Sequence, residues 1–117
     1  MPLLAAWDSS HPLYYMLQAL GATRHSEVRF ILSPDGLKLL TENMTAFLQE
    51  ALFDYFSCST VASFTVSARV CQQIAENWAS GEILYLSIHN EEGESRLTVQ
   101  YQTQDLASSR ENVYSSV

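Results

Sequence analysis

Two short amphipathic segments, each entered from a strand-like run, constrain the fold of this chain more than any other feature. In the first segment, apolar residues recur at the spacing of one helical face: Leu13, Met16, Leu17 and Leu20. In the second, four residues form the apolar stripe of a helix: Val70, Cys71, Ile74 and Trp78. Residues of good helix-capping type precede each segment. The pattern predicts one helix from about Ser10 to Leu20 and another from Ser67 to about Ser80.

A short apolar run predicts a strand at residues 3–7, and strand-like patterns of apolar, polar and β-branched residues predict others at 27–32, 37–42, 60–66, 83–89 and 96–101. The sequence Ser33-Pro34-Asp35-Gly36 predicts a hairpin turn, because proline fixes φ and glycine admits positive φ. The segment from Thr45 to Phe56 fits a helix or a strand equally well. We therefore expect an α+β domain over residues 1–107, with a frayed C-terminal tail at residues 108–117.

Length and charge narrow the class of protein. The chain has 117 residues, 47% of them hydrophobic, which suits one ordinary core. Thirteen acidic residues against six basic ones give a formal net charge of -7, so bulk charge does not favour nonspecific nucleic-acid binding. No apolar run is long enough for a membrane span, and the first residues lack the positive region of a signal peptide. A cytosolic or nuclear location is expected.

The residues that could do chemistry form no persuasive catalytic group. The three histidines, His11, His25 and His89, have no evident partner in the sequence, and we expect them at the surface. Cys58 and Cys71 lack metal-binding spacing and are predicted to be buried free thiols.

The acidic run at residues 91–94 lacks the alternating oxygen ligands of a calcium loop, so we read it as a solvated hairpin tip. No metal site, no cofactor and no enzymatic activity are therefore predicted.

Several stretches resemble one protein family. Val28 to Asn43 looks like the hairpin of the PCNA-like sliding clamps, in which a glycine turn joins two strands and leads to a Glu-Asn pair. Ala46 to Phe56 is similar to the strand and aromatic turn that follow in that family, leading into Phe64-Thr65-Val66-Ser67 and the second helix. The step Thr41-Glu42-Asn43, followed by Ala46-Phe47-Leu48 and Leu52-Phe53, most resembles the N-terminal domain of the Rad-one subunits of the checkpoint clamp, the nine-one-one complex.

That resemblance implies a PCNA-like DNA clamp domain, with two helices packed on antiparallel sheets. It implies a nuclear subunit, or half-subunit, of a heterotrimeric ring that encircles DNA and recruits proteins in the DNA damage checkpoint and DNA repair. The implied partners are the other checkpoint-clamp subunits, double-stranded DNA held by enclosure, the clamp loader and repair proteins. Clamp subunits carry two such domains in tandem, whereas this chain is long enough for one.

In the family, residues on the two helices line the DNA channel. The matching candidates here are Tyr14, Tyr15, Gln18, Arg24, Arg69, Gln72, Gln73 and Asn77. Clamp subunits also join through strand edges, and the strands beginning near Ile83 or Thr60 are the candidate edges.

Each of these assignments has an alternative. Arg24 and Arg69 could contact phosphates or only add surface charge, and Tyr14 and Tyr15 could stack on bases or pack at a helix rim. So thin a cationic lining predicts weak DNA affinity. It leaves open a stand-alone interaction module with the clamp fold that does not encircle DNA. A third reading is a small hydrolase that uses Cys58 or Cys71 with a histidine brought near by folding.

Overall fold

The computed structural model describes residues 2–22, 27–91 and 93–116. Within these ranges two α-helices, one 3₁₀ turn and nine strands follow one another. Their order is β1 (Leu3–Trp7), α1 (Pro12–Gly21), β2 (Glu27–Ser33), β3 (Gly36–Leu40), β4 (Thr45–Gln49), a 3₁₀ turn (Glu50–Leu52), β5 (Tyr55–Ser57), β6 (Ala62–Ser67), α2 (Ala68–Asn77), β7 (Glu82–Glu91), β8 (Glu94–Thr103) and β9 (Ser109–Ser115).

The strands form two antiparallel sheets. One has five strands in the order β5-β1-β7-β8-β9, and the other has four in the order β4-β3-β2-β6. The α+β class predicted from the sequence is therefore confirmed. The strand β6, after Thr60, is an edge as expected, but the expectation for Ile83 is wrong, because β7 lies between β1 and β8.

The core lies between the inner faces of the sheets and the two helices. Alternation along β7 and β8 sends one face of each strand inward, and the residues on it are almost fully buried: Leu84, Leu86, Ile88, Leu97, Val99 and Tyr101. The apolar face of α1 contributes Leu13, Leu17 and Leu20, each with no exposed surface. One continuous cluster joins these side chains, which is why neither sheet is expected to be stable without the helices.

Three local expectations need correction. Residues 109–115 are not a frayed tail but strand β9, paired with β8 from Gln102 to Arg96. The ambiguous segment divides into β4, the 3₁₀ turn and β5. Helix α2 ends at Asn77, so Trp78 is its buried C-cap and not part of its stripe.

Among the described residues, no helix is both long enough and apolar enough to cross a membrane.

Candidate nucleic-acid face

Helices α1 and α2 lie side by side in very close contact. A Cβ on Gly21 would lie only 2.7 Å from the Cβ of Gln72 and 2.9 Å from its Cα. Glycine at this position lets the two backbones approach, which places the exposed sides of both helices next to each other. We call these exposed sides together the helix face.

On α1, the helix face carries one exposed tyrosine, Tyr15, whose ring lies edge-on to that of Tyr14 at 5.5 Å between centroids. Tyr15 is 59% exposed, and Gln18 beside it is also exposed. Tyr14 is half-buried: its ring lies edge-on to Trp78 at 6.1 Å between centroids, and its hydroxyl accepts a hydrogen bond from Gln18 Nε2 at 3.0 Å. Tyr14 therefore packs at the helix rim, whereas Tyr15 stays available for contact with a ligand.

On α2, the helix face is polar and almost uncharged. Arg69, Gln72 and Asn77 are exposed, and Gln73 is half-buried. The charged residues of the two helices are Arg69 and Glu76, and their formal charges cancel. The Asn77 carbonyl accepts a hydrogen bond from Arg110 at 2.8 Å.

The helix face can therefore offer amides, hydroxyls and one guanidinium to a ligand. Amide and hydroxyl donors can contact phosphate oxygens, but affinity for DNA grows with the number of cations that displace counterions. Arg24, the other basic candidate, lies outside the described residues. Contact alone through this face predicts weak DNA binding.

His11 is not a surface residue, contrary to the expectation from sequence. It is 8% exposed and is the N-cap of α1, with Nδ1 accepting a hydrogen bond from the Leu13 N–H at 3.0 Å. That leaves Nε2 to donate to the Leu52 carbonyl at 2.6 Å, while the ring stacks on Phe53. The sequence did not reveal that His11 caps α1, because histidine is not a common capping residue. Pro12 does mark the first helical turn. His89 is half-buried, and His25 lies outside the described residues.

The two thiols lack the features of a cysteine nucleophile. Cys71 is buried as expected, and burial raises its pKa to about 12. Cys58 is only half-buried, its pKa is also raised by burial, and its Sγ donates to the Thr60 carbonyl at 3.0 Å. An activated thiol needs a lowered pKa and a basic partner, and within the described ranges neither thiol is hydrogen-bonded to a histidine.

No group of three or more metal-binding side chains occurs within the residues that the structure describes.

One feature that sequence reasoning missed lies on the outer side of the five-stranded sheet, where Trp7 and Tyr55 are both about half exposed. The alternation of β1, with Leu4 and Ala6 in the core, is the signal that could have placed Trp7 outside.

Neither models of known protein families nor the sequences of curated proteins match this chain.

Proposed function

We propose that this chain is a DNA-clamp domain, acting as a subunit or half-subunit of a nuclear checkpoint ring that encircles DNA and recruits proteins without enzymatic activity. The observation that carries the proposal is the close pairing of α1 and α2 in a domain with two antiparallel sheets. The local sequence resemblance of residues 28–56 to sliding clamps supports the same assignment.

The helix face suits a ring better than a protein that binds DNA by contact. A ring is held on DNA by topology, so its inner surface needs only weak, sequence-independent contacts. Hydrogen-bonding groups such as Gln18 and Gln72, with one cation at Arg69, can supply such contacts without a strong electrostatic attraction. Tyr15 is the residue on this face that can stack on a base or lie against a sugar.

Assembly of a ring requires free strand edges. The strands β4 and β9 each lie at one edge of a sheet, and an edge strand offers unpaired backbone groups to a neighbouring chain. Each also carries one exposed apolar residue, Phe47 on β4 and Val113 on β9. These two edges are the places where we expect neighbouring subunits to join.

Light scattering after size exclusion tests this proposal, with the chain alone and mixed with the other two checkpoint-clamp subunits. We expect a stable complex in the mixture, and we expect Phe47→Glu or Val113→Glu to weaken it. The matched control is Tyr15→Glu, a charge at an exposed residue of the helix face and not of a strand edge, which should leave assembly in the absence of DNA unchanged.

A chain that stays monomeric in the mixture would overturn ring membership. It would favour the stand-alone interaction module, for which the zero net charge of the two helices is the supporting observation.

A further inference from the structure

The outer face of the five-stranded sheet carries large apolar side chains far from the core. Backbone pairing places Trp7 beside Ile83, and places Ala5 between Tyr55 and Tyr85 in one row across three strands. Trp7 is 45% exposed and Tyr55 is 53% exposed. We call this surface the aromatic face; its members are Leu3, Trp7, Tyr55, Ile83 and Tyr85.

A small residue flanked by two tyrosines forms the centre of the aromatic face. Ala5 points outward, because its neighbours Leu4 and Ala6 point into the core, yet it is only 3% exposed. Its small side chain lies between two tyrosines of the same row, Tyr55 and Tyr85. Ala5 is therefore covered by its neighbours, and the tyrosine side chains form the surface that a ligand can reach.

Two carboxylates border this surface next to Trp7. Asp54 is exposed, and its Oδ2 accepts a hydrogen bond from the Trp7 N–H at 2.5 Å. Asp8 follows Trp7, and hydrogen bonds from the Gly81 N–H and the Ser10 hydroxyl lower its pKa. The Asp8 carboxylate is therefore ionised at neutral pH, and the Asp54 side chain contacts the backbone of Trp7.

No cation of the described chain neutralises these carboxylates. The single salt bridge found among the described residues joins Arg110 to Glu82. Arg96 is on the same outer face but pairs with His89, six residues along β7 from Ile83. At about 3.3 Å per residue this is roughly 20 Å away, beyond the range of a strong interaction in physiological salt.

We propose that the aromatic face binds a basic segment of a partner protein, in which lysine or arginine side chains flank an apolar residue. The apolar side chain packs against the side chains of Tyr55 and Tyr85. The cations lie against Trp7 and Tyr55, where aromatic rings and the carboxylates of Asp8 and Asp54 attract them together. The biological role of this binding rests on the proposed function as a recruitment platform, but the binding itself requires only this chain and not an assembled ring.

Fluorescence anisotropy tests the proposal with the whole chain and a labelled synthetic peptide in which arginine and lysine flank leucine and phenylalanine. We expect binding that weakens with salt, and no binding of a matched peptide with glutamate at every basic position. Tyr55→Ser should weaken binding about tenfold, the loss expected for one central contact. Asp54→Asn, which keeps an oxygen for the Trp7 N–H, should weaken binding severalfold and reduce its salt dependence.

Tyr15→Ser is the matched control, because Tyr15 is equally exposed but lies on the helix face; it should leave peptide binding unchanged. Trp7 supplies a second readout without substitution, since Trp78 is buried and acrylamide quenches mainly the exposed tryptophan. We expect the peptide to protect Trp7 from quenching.

Equal loss of binding in Tyr15→Ser and Tyr55→Ser, equal binding of the acidic peptide, or unprotected Trp7 would each overturn the proposal. Self-association that Tyr55→Ser abolishes would also overturn it, assigning the face to a second copy of this chain. Failure here leaves the mixing experiment on ring assembly unaffected, so the two proposals fail separately.

Discussion

Arg110 on β9 forms a salt bridge with Glu82 at the start of β7, two strands away in the same sheet. The Arg110 guanidinium also lies 5.0 Å from the centre of the Tyr101 ring and donates to the Asn77 carbonyl. Glu82 is buried and accepts a second hydrogen bond from the Ala79 N–H at 2.8 Å. The Arg110 side chain therefore connects β9 to the end of α2 and to β7 in the middle of the five-stranded sheet.

Replacing Arg110 should loosen β9. Arg110→Ala leaves the buried Glu82 carboxylate without its cation, and we expect a loss of about 1–3 kcal/mol in the free energy of unfolding. Denaturant unfolding measures this change. Arg96→Ala is the control: Arg96 is exposed on the neighbouring strand and has no salt bridge with a described residue, so its change should stay within about 0.5 kcal/mol. Equal effects of the two substitutions would contradict the role of Arg110.

Gly21→Ala should destabilise the protein, although alanine is the better helix former. Helix propensity alone predicts a gain of up to about 1 kcal/mol. The added Cβ would overlap the backbone of Gln72, and forcing helices apart costs about 1–3 kcal/mol. The sign of the change in the thermal unfolding temperature therefore shows whether helix propensity or the overlap with Gln72 dominates. Ala19→Gly, at an exposed position of the same helix, should lose only the propensity difference of about 1 kcal/mol.

His11 should be replaceable by asparagine more readily than by alanine. Both substitutions lose the hydrogen bond to the Leu52 carbonyl and the stacking on Phe53. Asparagine can still cap α1 by accepting from the Leu13 N–H, which is worth about 1 kcal/mol. Chemical denaturation of His11→Ala and His11→Asn should show this difference, and equal stabilities would mean that the cap contributes nothing.

The contribution of Asp8 to stability should depend on pH. The pKa of Asp8 is lowered in the folded protein, chiefly by the Gly81 N–H, from an ordinary value of 3.8. The ionised carboxylate therefore stabilises the fold above pH 3.8, and this contribution is lost as the pH falls through the lowered pKa. Asp8→Asn should be less stable than the parent at neutral pH, and the two unfolding curves should converge in acid. Asparagine also tolerates the positive φ of 66° at this position, so backbone strain is not introduced. A difference that persists unchanged at low pH would contradict the assignment.

The two thiols should differ in reactivity toward a disulfide reagent. At neutral pH the folded protein should react slowly, and only at Cys58, because Cys71 is buried and burial raises its pKa to about 12. Both thiols should react after unfolding. Cys58→Ser is the control and should show no reactive thiol in the folded state. Rapid labelling of either cysteine in the folded chain would revive the hydrolase reading.

Sequence periodicity predicted the parts of the fold in which a single pattern dominates. The strand Leu3–Trp7 follows from its short apolar run, the inward faces of β7 and β8 follow from alternation, and the exposure of Gln18 and Gln72 follows from helical spacing. The segment from Thr45 to Phe56 escaped prediction because its apolar residues satisfy both periods.

Features created by distant contacts could not be predicted in this way. Strand β9 is rich in polar residues; it pairs with β8 along its length and carries Arg110, whose partner Glu82 lies 28 positions earlier. The aromatic face depends on strand order, which brings Tyr55 and Tyr85 to either side of Ala5. The extreme closeness of Gly21 and Gln72 likewise exists only once the helices pack together.

The position of β1 in the five-stranded sheet affects the order in which the two sheets can form during synthesis. Its Leu3 pairs with both Ser57 and Ser87, so β1 waits for partners that are synthesised much later. The four-stranded sheet, in contrast, is complete in sequence by Ser67. Because long-range pairing is slow, this order implies that the nascent chain assembles its four-stranded half first and stays vulnerable to aggregation at Leu3–Trp7 until β7 emerges.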